Sequence, residues 1–325
     1  MDDVLYDYFL FYFGIVSFLV NVIVFVFIQV VQRYTKDPIL SILKYSRLND
    51  GLIPLYTGPI LQLKLLLPTY GIIANGLCHK LKSFQFCNYA AVTALLMSYY
   101  SSMFVTLTYL LRYNIFVREK NPFYFNYHEK LRILISIIIL PIVVWILAMD
   151  APLKECEYEQ NYSNIQKLLE PYKNTDNTVI IYSSDFRKPF IFIIALGVLY
   201  CIVHVIHGTI FYVIPLEKKL RGNLATTLKE THKILRRSII QLRLLLLITV
   251  IFGMGPLFVS LFFATLSEYS NYAFMIISHR IIGLYHIYFT VTPIFSFTIA
   301  LVSYIKRPVA SNRIKYINYK RKSIK

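Results

Sequence analysis

The stretch from Cys87 to Arg112 reads CNYAAVTALLMSYYSSMFVTLTYLLR and carries no Asp, Glu, Lys or Arg between its two ends. At about 1.5 Å of rise per residue, it forms a helix about 37 Å long, which is enough to cross a hydrocarbon core about 30 Å thick. A thiol then lies near one face of a bilayer and a guanidinium near the other. We predict a membrane-spanning helix here, and each remaining segment can be assigned to one side of the membrane.

The composition of the whole chain is that of a membrane protein. Of its 325 residues, 57% are apolar and only 16% are charged, whereas a soluble domain carries about 25% charged residues. Charge-free runs recur along the chain, and most are long enough to span a bilayer. The net charge of +17 is concentrated between and after these runs, as the positive-inside rule expects. We therefore predict a polytopic protein with the lipid bilayer as partner and no nucleic-acid partner.

The two ends of the chain predict its orientation. The acidic segment MDDVLYDY precedes the first apolar run, and basic residues follow that run closely. The N-terminus is therefore expected outside, and the first run is expected to stay in the membrane as a signal-anchor. The tail is basic and has no acidic residue, which predicts a cytosolic C-terminus. An odd number of spans is then required, and six clear apolar runs plus one weaker run make seven.

The predicted fold class is thus an all-α membrane protein, a single seven-transmembrane helix bundle over residues 1–325. The second helix is the weakest prediction because charged residues and two prolines interrupt it. Asp50 would lie in its inner part, where a charge is costly and usually functional. The approximate helices are 8–32, 39–67, 83–117, 131–149, 189–214, 239–266 and 273–305, followed by a short basic cytosolic tail, 306–325.

Two cysteines are expected on the oxidising outer side of the membrane. We predict a disulfide between Cys87, at the outer end of the third helix, and Cys156, in the long acidic outer loop. Cys78, in the preceding outer connection, is the alternative partner, and Cys201 is interpreted as a buried apolar residue of the fifth helix. Asn161 opens an Asn-Tyr-Ser sequon in the same acidic loop, which predicts glycosylation on that side.

Arg112 and Tyr113 close the third helix directly before a basic inner loop. With the cysteine that opens this helix, an outer-loop cysteine and prolines in helices six and seven, the pattern resembles a seven-helix G-protein-coupled receptor across essentially the full chain. The resemblance implies that Arg112 and Tyr113 form a polar latch that meets a heterotrimeric G protein; the alternative is an ordinary positive-inside arginine. Pro256 and Pro293 interrupt the hydrogen bonds of their helices and are expected to act as kink switches.

The sequence also departs from the rhodopsin-like pattern. Leu111 precedes Arg112 where those receptors have Asp or Glu, and helix seven reads TPIFS over 292–296 in place of Asn-Pro-x-x-Tyr. These departures, the LLRYN helix end and the high Phe and Tyr content resemble the nematode serpentine chemoreceptors, and most closely their class gamma superfamily. The resemblance implies a chemosensory receptor for a small-molecule ligand in the plasma membrane, at the cilium of a sensory neuron.

The ligand site is expected one to three turns inside the outer face of the bundle. Arg280 differs from its aromatic neighbours because a guanidinium this deep in an apolar run rarely faces lipid. It binds an anionic ligand group in one interpretation, and pairs with Glu268 or extends outward in the other. The pocket candidates are Met97, Ser98, Tyr99, His204, Phe258, Arg280 and His286.

No cofactor, metal or catalytic activity is expected. The histidines of helices five and seven are too dispersed to favour a metal site, and His286 stands where an opsin would have its retinal-binding lysine. No HExxH, GxSxG or P-loop motif occurs, so the protein is predicted not to be an enzyme. The alternative function is a polytopic transporter or ligand-gated channel, with Asp50, Lys64 and Arg280 along a polar pathway.

Overall fold

Helices make up most of the computed structural model. α1 packs against α2 and α8, and α2 packs against α4. The helical elements are α1 (Asp3–Thr35), α2 (Pro38–Leu55) with a π-helical turn at Tyr56–Ile60, α3 (Leu77–Lys80), α4 (Phe84–Phe116), α5 (Tyr127–Leu134) and α6 (Leu140–Leu147) joined by a π-helical turn at Ile135–Ile139, α7 (Ile214–Thr226) preceded by a π-helical turn at Thr209–Val213, and α8 (Tyr272–Ile305). The structure describes residues 3–35, 38–66, 71–148, 150–153, 177–182, 188–190, 192–193, 203–204, 206–226, 240, 243–244, 247–248, 251 and 272–305.

Helix α4 contains the whole charge-free stretch from Cys87 to Arg112. It begins where the Ser83 side chain accepts a hydrogen bond from the backbone N–H of Phe86, as an N-cap residue does. Just beyond Arg112, the Asn114 side chain donates to the carbonyls of two residues in the following turn. Both ends of this helix are therefore held by side-chain hydrogen bonds.

A small antiparallel sheet is an element that the all-α prediction did not include. Its strands are adjacent in the order β1 (Lys64–Leu66), β2 (Gly71–Ala74) and β3 (Thr178–Ile181). Ile72 of β2 pairs with Leu65 on one side and with Ile180 on the other. The sheet therefore ties the long acidic connection before residue 188 to the short connection that precedes α4.

Strand β1 also corrects the predicted second helix, which was expected to continue to residue 67. Helical conformation ends at Ile60. Pro59 lies inside the last, π-helical turn, and Gln62 has a left-handed backbone with φ 47°. A proline removes a backbone donor and a left-handed residue redirects the chain, so the helix cannot run on into the Lys64–Leu66 segment.

The distribution of side chains is that of a protein surrounded by lipid. In α1, Ser17 and Asn21 are completely buried, while Ile23 is 65% exposed. Along the helix that follows residue 127, Ser136 is buried whereas Ile142 and Ile146 are largely exposed. Polar groups in a spanning helix face the bundle because hydrocarbon offers them no hydrogen bonds.

Four helices in the described part of the chain are long and apolar enough to cross a membrane. The second predicted span is not among them, because α2 carries Lys44, Arg47 and Asp50 over its length. The membrane class is confirmed by these helices together with their apolar exposed faces. The four candidates are Val4–Thr35, Phe84–Phe116, Tyr127–Leu147 and Tyr285–Val302.

Two glycines allow α1 to lie directly against the end of α2. A Cβ atom on Gly14 would come 2.6 Å from the carbonyl oxygen of Pro54, and one on Gly58 would come 2.5 Å from that of Leu10. Such distances are far below van der Waals contact, so neither position accepts a side chain without separating the helices. This contact holds the π-helical turn against α1.

The disulfide of the structure corrects the predicted pairing of Cys87 with Cys156. Cys87 is bonded to Cys78, whose Cα atom lies 5.2 Å away. The turn between β2 and α4, with the short helix α3, folds Cys78 back onto the first turn of α4. The partner of Cys87 is therefore the cysteine that is nearer along the sequence. Cys156 lies outside the described residues.

Candidate functional site

Hydrogen bonds between polar side chains and carbonyl groups join α1 to α8 in the middle of the bundle. The Asn21 amide donates to the carbonyl of Phe289 at 2.9 Å. One turn earlier on α1, the hydroxyl of Ser17 lies 2.9 Å from that of Thr290. A polar pair buried in apolar surroundings is costly to separate, so these bonds fix the register of the two helices.

Helix α2 carries a buried ion pair beside this contact. The Arg47 guanidinium donates to the Asp50 carboxylate at 2.5 Å, and the two side chains are 3% and 0% exposed. Ser46 donates to the same carboxylate oxygen at 3.3 Å. The neighbouring Asn49 amide donates to the carbonyl of Met97 on α4 at 2.8 Å. Asp50 is therefore buried in the bundle, and its charge is balanced by Arg47 on the same helix.

We use the name polar core for Ser17, Asn21, Asn49, Asp50 and Arg47. A hydrophobic cluster lies against it, formed by Ile53, Tyr288 and Phe289 with Met97 packed on them. Met97 and Phe289 connect the two groups. Their side chains lie in the hydrophobic cluster, and their backbone carbonyls accept hydrogen bonds from the amides of Asn49 and Asn21. Side-chain packing and polar bonding are thus coupled at these two residues.

His286 is held between α1 and α2. Its Nε2 atom lies 2.9 Å from the hydroxyl of Thr57, and its ring meets the ring of Phe13 edge-on at 6.2 Å. The residue is completely buried. These contacts are those of a side chain that joins helices.

The end of α4 near Arg112 is surrounded by aromatic and charged groups. Arg112 is buried, at 6% exposure, next to the completely buried Leu111. The ring of Tyr113 meets that of Tyr212 edge-on at 5.5 Å. The guanidinium of Arg118 lies over the Tyr113 ring, 4.9 Å from its centre. The predicted latch residues thus lie at a packed junction between α4 and the helix that leads into α7.

A group of polar residues beside this junction is centred on one carboxylate, and we call it the Glu129 cluster: Arg118, Glu129, Arg132, His207 and Tyr212. Glu129 accepts two bonds from Arg118, at 2.8 and 3.0 Å, and one from the hydroxyl of Tyr212 at 3.0 Å. The hydrogen bond to Glu129 raises the pKa of Arg118 above its ordinary value, so this guanidinium keeps its charge.

Glu217 joins α7 to the segment predicted as helix six. It accepts hydrogen bonds from Arg221, at 2.8 Å, and from Arg243. The bonds from Arg243 and Arg221 lower the pKa of the Glu217 carboxyl below its ordinary value. This surface contact is screened by solvent and salt, and it lies at the same end of the molecule as Arg112.

An ion pair near the start of the chain lies at the other end of α1. The Lys64 ammonium of β1 lies 2.8 Å from the Asp7 carboxylate, and the Asn75 amide donates to the same carboxylate at 3.1 Å. Gln62 donates to the backbone carbonyl of Asp7 at 3.1 Å. The sheet is anchored to α1 by these bonds.

A comparison with protein families identifies the chain. Residues 52–309 match the family described as serpentine type 7TM GPCR chemoreceptor Srh. That range covers most of the 325 residues and includes α4, α8 and the Glu129 cluster. This protein belongs to the Srh family of serpentine chemoreceptors.

The predicted class of nematode serpentine chemoreceptor is confirmed for this Srh receptor. The match names Srh where the sequence resembled the class gamma superfamily. Among solved structures, squid rhodopsin is similar at 12% sequence identity with a TM-score of 0.44, covering 93% of this chain and 85% of that chain. A comparison with curated proteins found no match.

The structure distributes the predicted pocket residues of the Srh receptor over different surroundings. Met97 lies in the cluster with Tyr288 and Phe289, and Ser98 donates to the carbonyl of Ala94 on its own helix. The ring of Tyr99 packs at 6.0 Å from that of Tyr100, and His204 is 4% exposed. A shared ligand cavity for these residues stays a prediction. Outside the described residues lie Phe258, Pro256, Asn161 and the side chain of Arg280.

Sequence reasoning missed the groups that bind α1, α2, α4 and α8 together. Asn21 stands alone in an apolar run, and an isolated amide at that depth is the signal that could have found it. Asn49 lies directly beside Asp50, so the unusual polarity of the second helix was its signal. Glu129 stood in a segment interpreted as a simple inner loop. Asn126 caps α5 through its capping box with Glu129, and that sequence pattern marks a helix start.

Proposed function

We propose that this Srh receptor is a seven-helix chemosensory receptor that binds a small molecule in the outer half of its bundle and signals to a heterotrimeric G protein. The observation that carries the proposal is the family match over 52–309, combined with a buried arginine, Arg112, at the packed end of α4. The N-terminus lies outside and the C-terminus in the cytosol. The receptor resides in the plasma membrane, at a sensory cilium.

The charge distribution supports this orientation. The Glu129 cluster, Arg112 and the Glu217 contact lie toward the basic connections of the chain, which belong in the cytosol. The sheet and the bonded Cys78–Cys87 pair lie toward the acidic segment and so face the oxidising side. Beyond the four candidate spans, the proposed bundle is completed by α2 and by residues 189–214 and 239–266. The α7 residues Leu216 and Leu220 pack with Tyr109 and Leu110 of α4.

The coupled residues Met97 and Phe289 supply a route from ligand to G protein. A ligand that moves the hydrophobic cluster around Ile53 displaces the same residues whose carbonyls hold Asn49 and Asn21. Shifts of α4 relative to α2, or of α8 relative to α1, must then rearrange the polar core, because packed interiors do not deform continuously. Pro293 lies inside α8 and has no backbone N–H to donate, so α8 can bend there during this movement.

Arg112 and Tyr113 are the residues proposed to face the G protein. Since Leu111 supplies no carboxylate beside Arg112, the resting position of this guanidinium depends on its tertiary surroundings. The Tyr113–Tyr212 contact ties α4 to the helix leading into α7. Loosening this contact would open the junction in which Arg112 is buried.

The test is expression in heterologous cells with a ligand panel and a second-messenger readout. Arg112→Ala is expected to abolish the response at normal surface expression. Arg33→Ala, which removes an exposed arginine at the end of α1, is the matched control and should respond like wild type. A ligand-evoked current or flux in cells that lack functional G proteins, unaffected by Arg112→Ala, would instead establish a channel or transporter.

A further inference from the structure

A cavity of about 200 Å³ lies beside the Glu129 cluster, between the end of α4, the start of α5 and the turn before α7. It is open on one side. Its lining includes two arginines and two histidines around a single carboxylate: Arg118, Arg132, His128, His207 and Glu129. The net charge of this cavity therefore depends on which of the cationic groups the Glu129 carboxylate neutralises.

Glu129 is fully occupied by its own partners. It accepts the two bonds from Arg118, a backbone bond from Asn126 at 2.8 Å and the hydroxyl bond from Tyr212. A carboxylate that accepts four hydrogen bonds, two of them from one bidentate arginine, has its charge balanced and its acceptor sites filled. Arg118 and Glu129 therefore form a neutral pair in the wall of the cavity.

Arg132 has no anionic partner among the residues that the structure describes. Its guanidinium contacts the ring nitrogen of His207, lies 3.4 Å from the hydroxyl of Tyr212 and stands 5.5 Å from the Tyr212 ring centre. None of these groups is an anion. Within the described residues, no carboxylate lies at ion-pair distance from Arg132, although this half-buried residue lies in the first turns of a candidate membrane-spanning helix. A guanidinium at such a place requires a counter-charge or water.

The surroundings of Arg132 are those of a membrane–water boundary. The first turn of α5 is polar, with exposed Tyr127 and His128, while the residues that follow expose Ile138 and Ile139. Phe211 lines the cavity and is 56% exposed. An anion that reaches Arg132 is thus flanked on one side by apolar surface suited to acyl chains.

We propose that this cavity binds the phosphate group of an anionic membrane lipid, with Arg132 as the principal ligand and Phe211 beside the acyl chain. Guanidinium groups recognise phosphate oxygens through paired hydrogen bonds. Basic pockets between helices at the cytosolic face are places where lipid head groups bind. The assignment to the inner leaflet rests on the orientation proposed above, whereas binding itself does not depend on it.

The experiment uses the full chain in phosphatidylcholine nanodiscs and measures the affinity of fluorescent phosphatidic acid. Arg132→Gln is expected to weaken binding by about tenfold, the loss of one charge-assisted bond. Lys130→Gln is the matched control, because Lys130 is exposed two residues away and does not line the cavity. It should change the affinity less than about twofold. Arg132→Lys keeps the charge but loses the paired hydrogen bonds, so its affinity should fall between those of wild type and Arg132→Gln.

Three results would overturn the proposal. Equal losses in Arg132→Gln and Lys130→Gln would indicate only general attraction to a basic surface. Equal affinity for phosphatidylcholine would remove the requirement for an anion. If inorganic phosphate displaced the lipid and stabilised the receptor equally in lipid-free detergent, the site would be one for a free anion.

A measurement on the wild-type receptor keeps the proposal testable if Arg132→Gln does not fold. A photoreactive phosphatidic acid, with the reactive group near its head, is cross-linked and the labelled peptides are mapped. Labels are expected at 127–135 and 207–212. Labels confined to other segments would refute the site, and G-protein signalling enters neither measurement.

Discussion

Arg47 and Asp50 form an ion pair one helical turn apart within α2, and both side chains are almost completely removed from solvent. Desolvating two charges is expensive, and their attraction offsets this cost only while both are present. Ser46 bonds to the same carboxylate, and Asn49 beside it reaches α4. The pair is therefore a neutral unit that lets α2 carry charges through the bundle.

We predict that Asp50→Asn and Arg47→Gln each lower the free energy of unfolding by about 3 kcal/mol or more, because each leaves one buried charge alone. The double variant should cost less than the sum of the two, since neither charge remains. The loss of stability is measured by heating the receptor and following the remaining monodisperse fraction by size-exclusion chromatography. Arg33→Gln, at an exposed position at the end of α1, is the control, and additive losses would contradict a direct pairing.

The bond between Cys78 and Cys87 predicts which cysteines matter for folding. Cys78→Ser, Cys87→Ser and the double variant should lose the same stability, about 2–3 kcal/mol for so short a loop. Cys156→Ser should fold like wild type because its expected partner is already used. Peptide mapping without reduction checks the connectivity, and a peptide joining Cys87 to Cys156 would disprove it.

The Asp7–Lys64 pair predicts an asymmetry between its two partners. Lys64 is 2% exposed and Asp7 is 20% exposed. Asp7→Ala should destabilise more than Lys64→Met, because it leaves a buried ammonium without its carboxylate. After Lys64→Met, Asp7 still reaches water and keeps its bond from Asn75. Thermal stability and hydrogen exchange of the β1 and β2 amides report the difference, and equal effects would refute the explanation.

The Thr57–His286 hydrogen bond predicts that His286 acts in helix packing. His286→Phe and Thr57→Val should each reduce thermal stability by about 1–2 kcal/mol, and the double variant should cost no more than the larger of the two. Ligand potency at matched surface expression should be unchanged in Thr57→Val. A potency shift in His286→Phe alone, without loss of stability, would restore His286 as a pocket residue.

Much of the architecture was predictable from the sequence because a bilayer imposes a length rule on single segments. The charge-free run in α4, the long apolar helices α1 and α8 and the membrane class all follow from comparing run length with the thickness of the hydrocarbon core. The second helix was harder to predict because charged residues interrupt its apolar run, and only the packing shows that Arg47 and Asp50 are buried together. The sheet was missed because β1 lies in the segment predicted as the end of the second helix, and because the short strands β2 and β3 pair across more than a hundred residues.

In the stretch from Cys87 to Arg112, some features follow from the local sequence and others from the packing of the bundle. Local composition and length are enough to predict a helix here with a cysteine at one end and an arginine at the other. Only the tertiary structure decided that Cys87 bonds to Cys78, that Met97 holds Asn49 and that Arg112 lies buried. Those facts depend on which segments come within bonding distance, and the packing of the chain sets that distance.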